Sequence, residues 1–138
     1  MSPPQDFNQS VIAEFRANAG RVGGRLADVD LLLLTHTGAR TGRTRTTPLG
    51  HLVHGDDLVV VAANRGSAHH PSWYHNLVAH PRVTVEVGSS TFDAVAHVAA
   101  GDERDRLWDF VATAKPFFLD FAAKAAPREI PIIVLRRG

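Results

Sequence analysis

Residues 31–50 read LLLLTHTGARTGRTRTTPLG, and the fold turns on the residues just after the glycines. Gly38, Gly42, Arg43 and Thr44 approach the phosphate-loop pattern GxxxxGK[ST], one residue short and with arginine in place of lysine. A phosphate loop needs a helix immediately after it, because the helix N-terminus supplies backbone donors to the anion. Here Thr46, Thr47 and Pro48 lead into a strand instead. The leading LLLLTHT is a β-like apolar run too short for a typical helix. The stretch is therefore strand, glycine turn, strand, and it opens a sheet of hairpins.

Working outward, the same signals recur. Residues 46–53 and 58–63 flank a His-Gly-Asp-Asp turn at 54–57, which predicts a hairpin. VTVEV at 83–87 alternates, Gly-Ser-Ser comes next, and 91–99 resumes β character as a second hairpin, with a last strand at 130–135. Phe7, Val11, Ile12 and Phe15 fall at helical spacing within residues 6–19, with Asp6 as N-cap and Gly20 as stop. Residues 71–78 predict a short helix with Pro71 at its first position. Two further helices, 103–114 and 117–125, are separated at Pro116. Helices inserted among about six antiparallel strands, with no regular βαβ alternation, indicate a mainly β, α+β architecture: a small antiparallel barrel decorated by helices. One domain over 1–138 is expected, residues 1–30 forming an N-terminal helix and lead-in.

Composition narrows the function classes. The chain has 138 residues, 44% hydrophobic and 21% charged, and no run approaches the length of a membrane span. No secretory signal precedes the first helix. Zero cysteines exclude disulfides, thiolate metal sites and a cysteine nucleophile, and fit a cytoplasmic location. The first helix carries only Arg16 as a basic residue, which favours packing on the domain over a membrane surface while leaving peripheral contact open. A net charge of +1 argues against nucleic-acid binding, the one such reading being a small binder using the arginine loop. Charge is nevertheless local: residues 31–55 hold three arginines and no acid.

That imbalance marks an anion site. Arg40, Arg43 and Arg45 sit on a glycine turn, where the planar guanidinium suits two-pronged contacts to phosphate or carboxylate. Gly38 and Gly42 permit close backbone approach, and the threonines add neutral donors. Spacing alone weighs this evenly against a solvated hairpin tip. His70, His75 and His80 recur every five residues, which spreads them around a helix, and no acid lies between Asp57 and Glu86 to complete a mixed metal site. No metal is expected. No G-x-S-x-G elbow supports a serine triad. With no side-chain chemistry evident, a cofactor bearing its own reactive atom is the natural source.

The runs LLLLTHTGARTGRTRTTPL, VVVAANRGSAHHPSWYHNLVAHPRVTVEVG and REIPIIVLRR, from about Leu31 to Arg136, resemble the deazaflavin-dependent nitroreductase family, which uses coenzyme F420. The resemblance implies a split β-barrel of the FMN-binding kind. It also implies that Gly38, Ala39, Arg40, Thr41, Gly42 and Arg45 hold the anionic part of the cofactor, with Arg65 facing the same anion. Thr47, Pro48 and Leu49 on the following strand, and Ala62, Ala63, Asn64, Arg65 and Gly66, would complete the cofactor contacts, with Pro71, Trp73 and Asn76 closing the pocket. Trp73, Tyr74, Phe117, Phe118 and Phe121 would line the acceptor pocket.

Departures from the family pattern are informative. Arg40 replaces a lysine, and Asn64, Arg65, Gly66, Ser67 replace Ser-Lys-Gly-Gly. Phenylalanines at 117, 118 and 121 stand where nitroimidazole-reducing relatives carry tyrosines, giving an apolar wall without hydroxyls and favouring a flat quinone or enone over a nitroimidazole. The activity implied is hydride transfer from reduced F420 to an electron-poor quinone, enone or nitro compound, with Tyr74 or His51 as candidates for proton supply. The alternatives are an FMN enzyme of the same fold and a non-catalytic F420 carrier. Monomer and homodimer are both open.

Overall fold

The computed structural model describes residues 3–24 and 29–138. Among the described residues four α-helices accompany one curled sheet: α1 (Pro3–Ala17), β1 (Leu31–Thr37), β2 (Thr44–Gly50), β3 (Leu52–His54), β4 (Asp57–Val61), α2 (Ser72–Ala79), β5 (Arg82–Val87), β6 (Ser90–Val98), α3 (Gly101–Ala114), α4 (Phe117–Ala125) and β7 (Ile132–Arg137). Position 6 lies inside α1, so the helix starts before the expected cap, and the Asp6 side chain is outside the described residues. Pro71 stands just before α2, as its N-cap.

The seven strands run in the order β2-β1-β5-β6-β7-β4-β3, and every pairing is antiparallel. Six strands were expected; the difference is that the segment 46–53 is two strands. β2 pairs with β1 up to Leu31↔Gly50, where β1 itself begins, and the next residues pair with β4 from Leu52↔Val59. At the change of partner, the His51 N–H donates to the Asp30 carbonyl at 2.9 Å, outside any ladder. Both halves have the same β character, so the sequence pattern runs through the break. The consequence is large: β2 and β3 end the sheet order on opposite sides yet are one residue apart in the chain. The sheet curls until its edges meet at His51, which makes the split barrel.

The four leucines of β1 explain themselves in this frame. Leu32 and Leu34 point into the barrel with Val60, Ala62, Val83, Val85, Ile133 and Leu135. Leu31 and Leu33 point out, against Val11 and Phe15 of α1. A strand buried on both faces needs no polar alternation, and each leucine so buried contributes about 1.5–3 kcal/mol. Arg16 of α1 adds a two-pronged contact to Glu86 of β5, at 3.0 and 2.8 Å. β7 is double-faced too: Ile133 and Leu135 enter the barrel while Ile132 and Val134 meet Leu107 and Val111 of α3. α2 closes the barrel's end with Trp73 and Leu77. Gly20, at φ +92°, brings the end of α1 so close to the β5–β6 turn that an added Cβ would lie 2.7 Å from Gly88 Cα.

Candidate functional site

The glycine turn between β1 and β2 is closed by its own backbone: Gly38 N–H donates to the Arg43 carbonyl at 2.8 Å, and Gly42 N–H to the Gly38 carbonyl at 2.9 Å. Gly42 sits at φ +70°, the left-handed region that glycine takes without cost. A side chain at Gly38 would meet Thr41 Oγ1 at 2.7 Å. From outside the turn, Asn76 of α2 accepts the Ala39 N–H on Oδ1 at 2.8 Å. Its Nδ2 lies 3.0 Å from His36 Nδ1, and His36 Nε2 lies 2.9 Å from Thr47 Oγ1. Both side chains are buried, His36 at 2% exposure and Asn76 at 8%. Burial pushes the His36 pKa down from its ordinary value, and the Arg45 charge pushes the same way.

Gly38, Ala39, Arg40, Thr41 and Arg45 line a cleft of about 560 Å³ together with Ser72, His75 and Asn76 at the start of α2. Arg40, Arg43, Arg45 and Arg65 are exposed, and none has an acidic partner among the described residues. Arg16, Arg104 and Arg136 each reach a carboxylate, whereas Arg82, Arg106 and Arg137, like the arginines of the turn, form no ion pair among the described residues. The turn therefore presents positive charge that the fold leaves uncompensated.

The loop after β4 is held by a residue that carries no signal of its own in the sequence. Arg128 donates through Nε to the Ser67 carbonyl at 2.9 Å, and through its terminal nitrogens to the carbonyls of Ala62 at 3.2 Å and Ala63 at 2.7 Å. One of those nitrogens also lies 2.9 Å from His70 Nδ1. Inside that loop Asn64 and Arg65 adopt φ of 47° and 53°, uncommon for residues with a side chain, and Gly66 follows at φ 80°. Asn64 Nδ2 secures the turn by donating to the His69 carbonyl at 2.9 Å. Arg65 is exposed at its tip, while Ala62 and Ala63 are buried in the core.

A second cleft, of about 350 Å³, is mostly apolar and is lined by Leu49, Gly50, Val60, Val61, Trp73, Phe117 and Phe118, with His51 and Lys115 as its titratable members beside Asp30. His51 Nδ1 is buried. Burial lowers the His51 pKa, while the Asp30 charge and a hydrogen bond to the Asp30 backbone oppose the shift. A wider cleft of about 870 Å³, from Gly20 to Phe110, shares His51 and Lys115.

Of the residues singled out from sequence, Gly38, Arg40, Thr41, Arg45 and Asn76 share the charged cleft, and Leu49, Trp73, Phe117, Phe118 and His51 share the apolar one. Pro48 is half-buried on β2 opposite Leu33. Tyr74 lies away from the apolar cleft's lining, its ring 4.6 Å from that of His70 and 5.5 Å from that of His75. Phe121 packs on Phe117 and Phe118 and on the cluster of Ala63, Ala125 and Ile130. His36 and Arg128 had no local signal, since each acts on partners far away in the chain, and Lys115 is brought to the apolar cleft only by the fold.

The family model for F420H(2)-dependent quinone reductase matches residues 8–137 of the chain. An F420H(2)-dependent quinone reductase of Mycobacterium tuberculosis is 36% identical over 128 residues, covering 91% of this chain and 86% of that protein. A solved structure described as an F420-H2 dependent reductase (FDR-A) is similar with a TM-score of 0.71 at 32% identity, covering 83% of this chain and all of that one. Another, described as a domain-swapped dimer, is similar with a TM-score of 0.73 at 31% identity, over 93% of each chain.

Proposed function

Because the chain belongs to the F420H(2)-dependent quinone reductase family, we infer that it reduces an electron-poor organic acceptor at the expense of reduced coenzyme F420. The observation that carries the site reading is the pairing of two unlike clefts, one edged by arginines without acidic partners and the other walled by Trp73, Phe117 and Phe118. F420 has the same division, an anionic phosphate and glutamyl tail joined to a flat, largely apolar tricycle. The residues present fit it. Arg40 and Arg45 have free guanidinium forks for the anions, with Arg65 assigned to the same end, and Trp73, Leu49 and the phenylalanines offer apolar area for the ring and acceptor.

When bound and reduced, the cofactor supplies a hydride. The acceptor takes that hydride and one proton, so a quinone leaves as a hydroquinone. The protein's part is to bind, to orient and to exclude water from the apolar cleft. His51 is the group we assign to the acceptor's oxygen, since it is the one histidine among the residues lining the apolar cleft. The absence of tyrosine hydroxyls at 117, 118 and 121 supports a flat quinone or enone as acceptor over a nitroimidazole. We place the reaction in the cytoplasm, in keeping with the absence of cysteine; among the described residues no helix is long and apolar enough to cross a membrane. The likeness to a domain-swapped dimer supports a homodimer.

Fluorescence titration of the purified protein with oxidised F420 and, separately, with FMN tests the reading. Tight F420 and weak FMN binding are expected, with Arg45→Ala weakening F420 by about 1–3 kcal/mol through lost charged hydrogen bonds. Preference for FMN, or an unmoved affinity in the variant, would overturn the assignment of the cofactor or of the turn. Oxidation of bound F420H2 by a soluble quinone then separates an enzyme from a carrier.

A further inference from the structure

The hydrogen bonds behind the glycine turn fix a protonation state. The Ala39 N–H is an obligate donor, so the Asn76 atom that meets it at 2.8 Å is the carbonyl Oδ1. The amide nitrogen then faces His36 Nδ1 at 3.0 Å, and Nδ1 has to accept. The imidazole proton therefore sits on Nε2, which donates to Thr47 Oγ1 at 2.9 Å. Every member of the chain is satisfied, and each bond dictates the next.

We propose that His36 is a positioning residue: in its neutral, Nε2-protonated form it aims the Asn76 carbonyl at Ala39 and so holds the glycine turn in the shape that grips the cofactor's anions. The cofactor half of this rests on the function inferred above; the lock itself does not. A proton on Nδ1 would place two donors face to face, ring and amide, at 3.0 Å. Rotating the amide relieves that clash and turns Oδ1 away from Ala39, leaving the Ala39 N–H unpaired. Acid thus loosens the turn.

The charges around the ring decide when. Burial opposes the proton most, and the charge of Arg45 on β2 adds to it. Arg82 of β5 and Asp93 of β6 share a cleft with His36, and Asp93 is engaged by Thr84 Oγ1 at 3.2 Å. His75, next to Asn76 on α2, lines the charged cleft. Asp93 is the one acid in this set and stands against burial and two arginines, so the neutral ring persists at pH 7 and the lock opens only on acidification.

The test combines nitrogen-15 NMR of the full chain without cofactor and F420 fluorescence titrations between about pH 5 and 8 for wild type, His36→Leu and His36→Gln. Glutamine offers a carbonyl to Asn76 and an N–H to Thr47, and does not titrate. The expected spectra show the His36 proton on Nε2 and an Ala39 amide that loses its protection from exchange as His36 is protonated. His36→Leu should weaken F420 binding about tenfold, His36→Gln should restore it to within about threefold, and only the wild type should lose affinity in acid beyond the loss in His36→Gln. A proton on Nδ1, an Ala39 amide indifferent to the state of His36, or a folded glutamine variant no better than leucine would overturn the proposal. If His36→Leu does not fold, the wild-type spectra decide. If F420 does not bind wild type, the cofactor assignment falls while the spectra still decide the lock.

Discussion

At His51 the chain changes sheet partner, and the same residue carries a buried ring nitrogen. The His51 ring is the one imidazole lining the apolar cleft, so an acceptor bound there is the partner its position offers. A neutral imidazole suits that role, because its N–H can meet charge developing on an acceptor oxygen without the cost of burying a cation. His51→Phe keeps the ring's bulk and removes the nitrogens. Steady-state kinetics with a soluble quinone should show kcat lowered about ten- to a hundredfold, with F420 affinity little moved. An unchanged kcat would leave His51 a corner residue only. The contrast with Arg40 and Arg45 explains what a sequence discloses at this scale. That they share one charged turn was legible, because arginines, glycines and the missing acids all fall within sixteen residues. The contact of His36 with Asn76, 40 residues away, and the place of His51 at a barrel corner are tertiary facts that no local pattern marks, although the family resemblance already points to Asn76.

The loop between β4 and α2 shows how an element without regular structure is made rigid. Asn64 and Arg65 are both left-handed, a conformation costing of order 1 kcal/mol each for residues with a Cβ. Gly66 is pressed against α4, where an added Cβ would lie 2.9 Å from Lys124 Cβ and 3.0 Å from the Phe121 carbonyl. The compensation comes from Arg128, whose guanidinium spans the carbonyls of Ala62, Ala63 and Ser67. A lysine has one ammonium and no planar fork, so it cannot reproduce that span. Arg128→Lys should lower stability by about 1–3 kcal/mol in urea denaturation and speed hydrogen exchange at Gly66 and Ser67. Unaltered exchange there would mean the loop holds itself. Among the elements, both hairpins and all four helices were legible from alternation, spacing and turn residues. The break of 46–53 into β2 and β3 was not, because it depends on where β1 runs out of residues to pair, a tertiary fact with no mark of its own in the sequence.

For the molecule as a whole, the buried histidines set the response to acid. His36 and His51 have pKa values pushed down, in each case chiefly by burial, whereas in the unfolded chain both return to about 6.5. Below that value the unfolded chain binds protons that the fold refuses, so stability falls as pH drops, until the lowered folded values are reached. His70 shifts the same way under burial and the charge of Arg128, though it is more open to water and counts for less. Glu103 acts in a lower window. Its carboxyl is held down first by the His97 hydrogen bond, so its contribution is present above the ordinary carboxylate range and is lost as pH falls through its own lowered value. Urea midpoints should therefore be level from about pH 7.5 upward to 9, decline from about pH 6.5 toward 5, and decline further below about pH 4.5. Replacing His51 with phenylalanine should lessen the first decline, leaving the share of His36, without touching the second, because the two windows belong to different groups in different parts of the fold. A midpoint that is constant or rising between about pH 6.5 and 5 would show that the buried imidazoles take up protons in the fold as readily as in the unfolded chain. That result would also remove the physical basis for a His36 lock that stays shut at neutral pH.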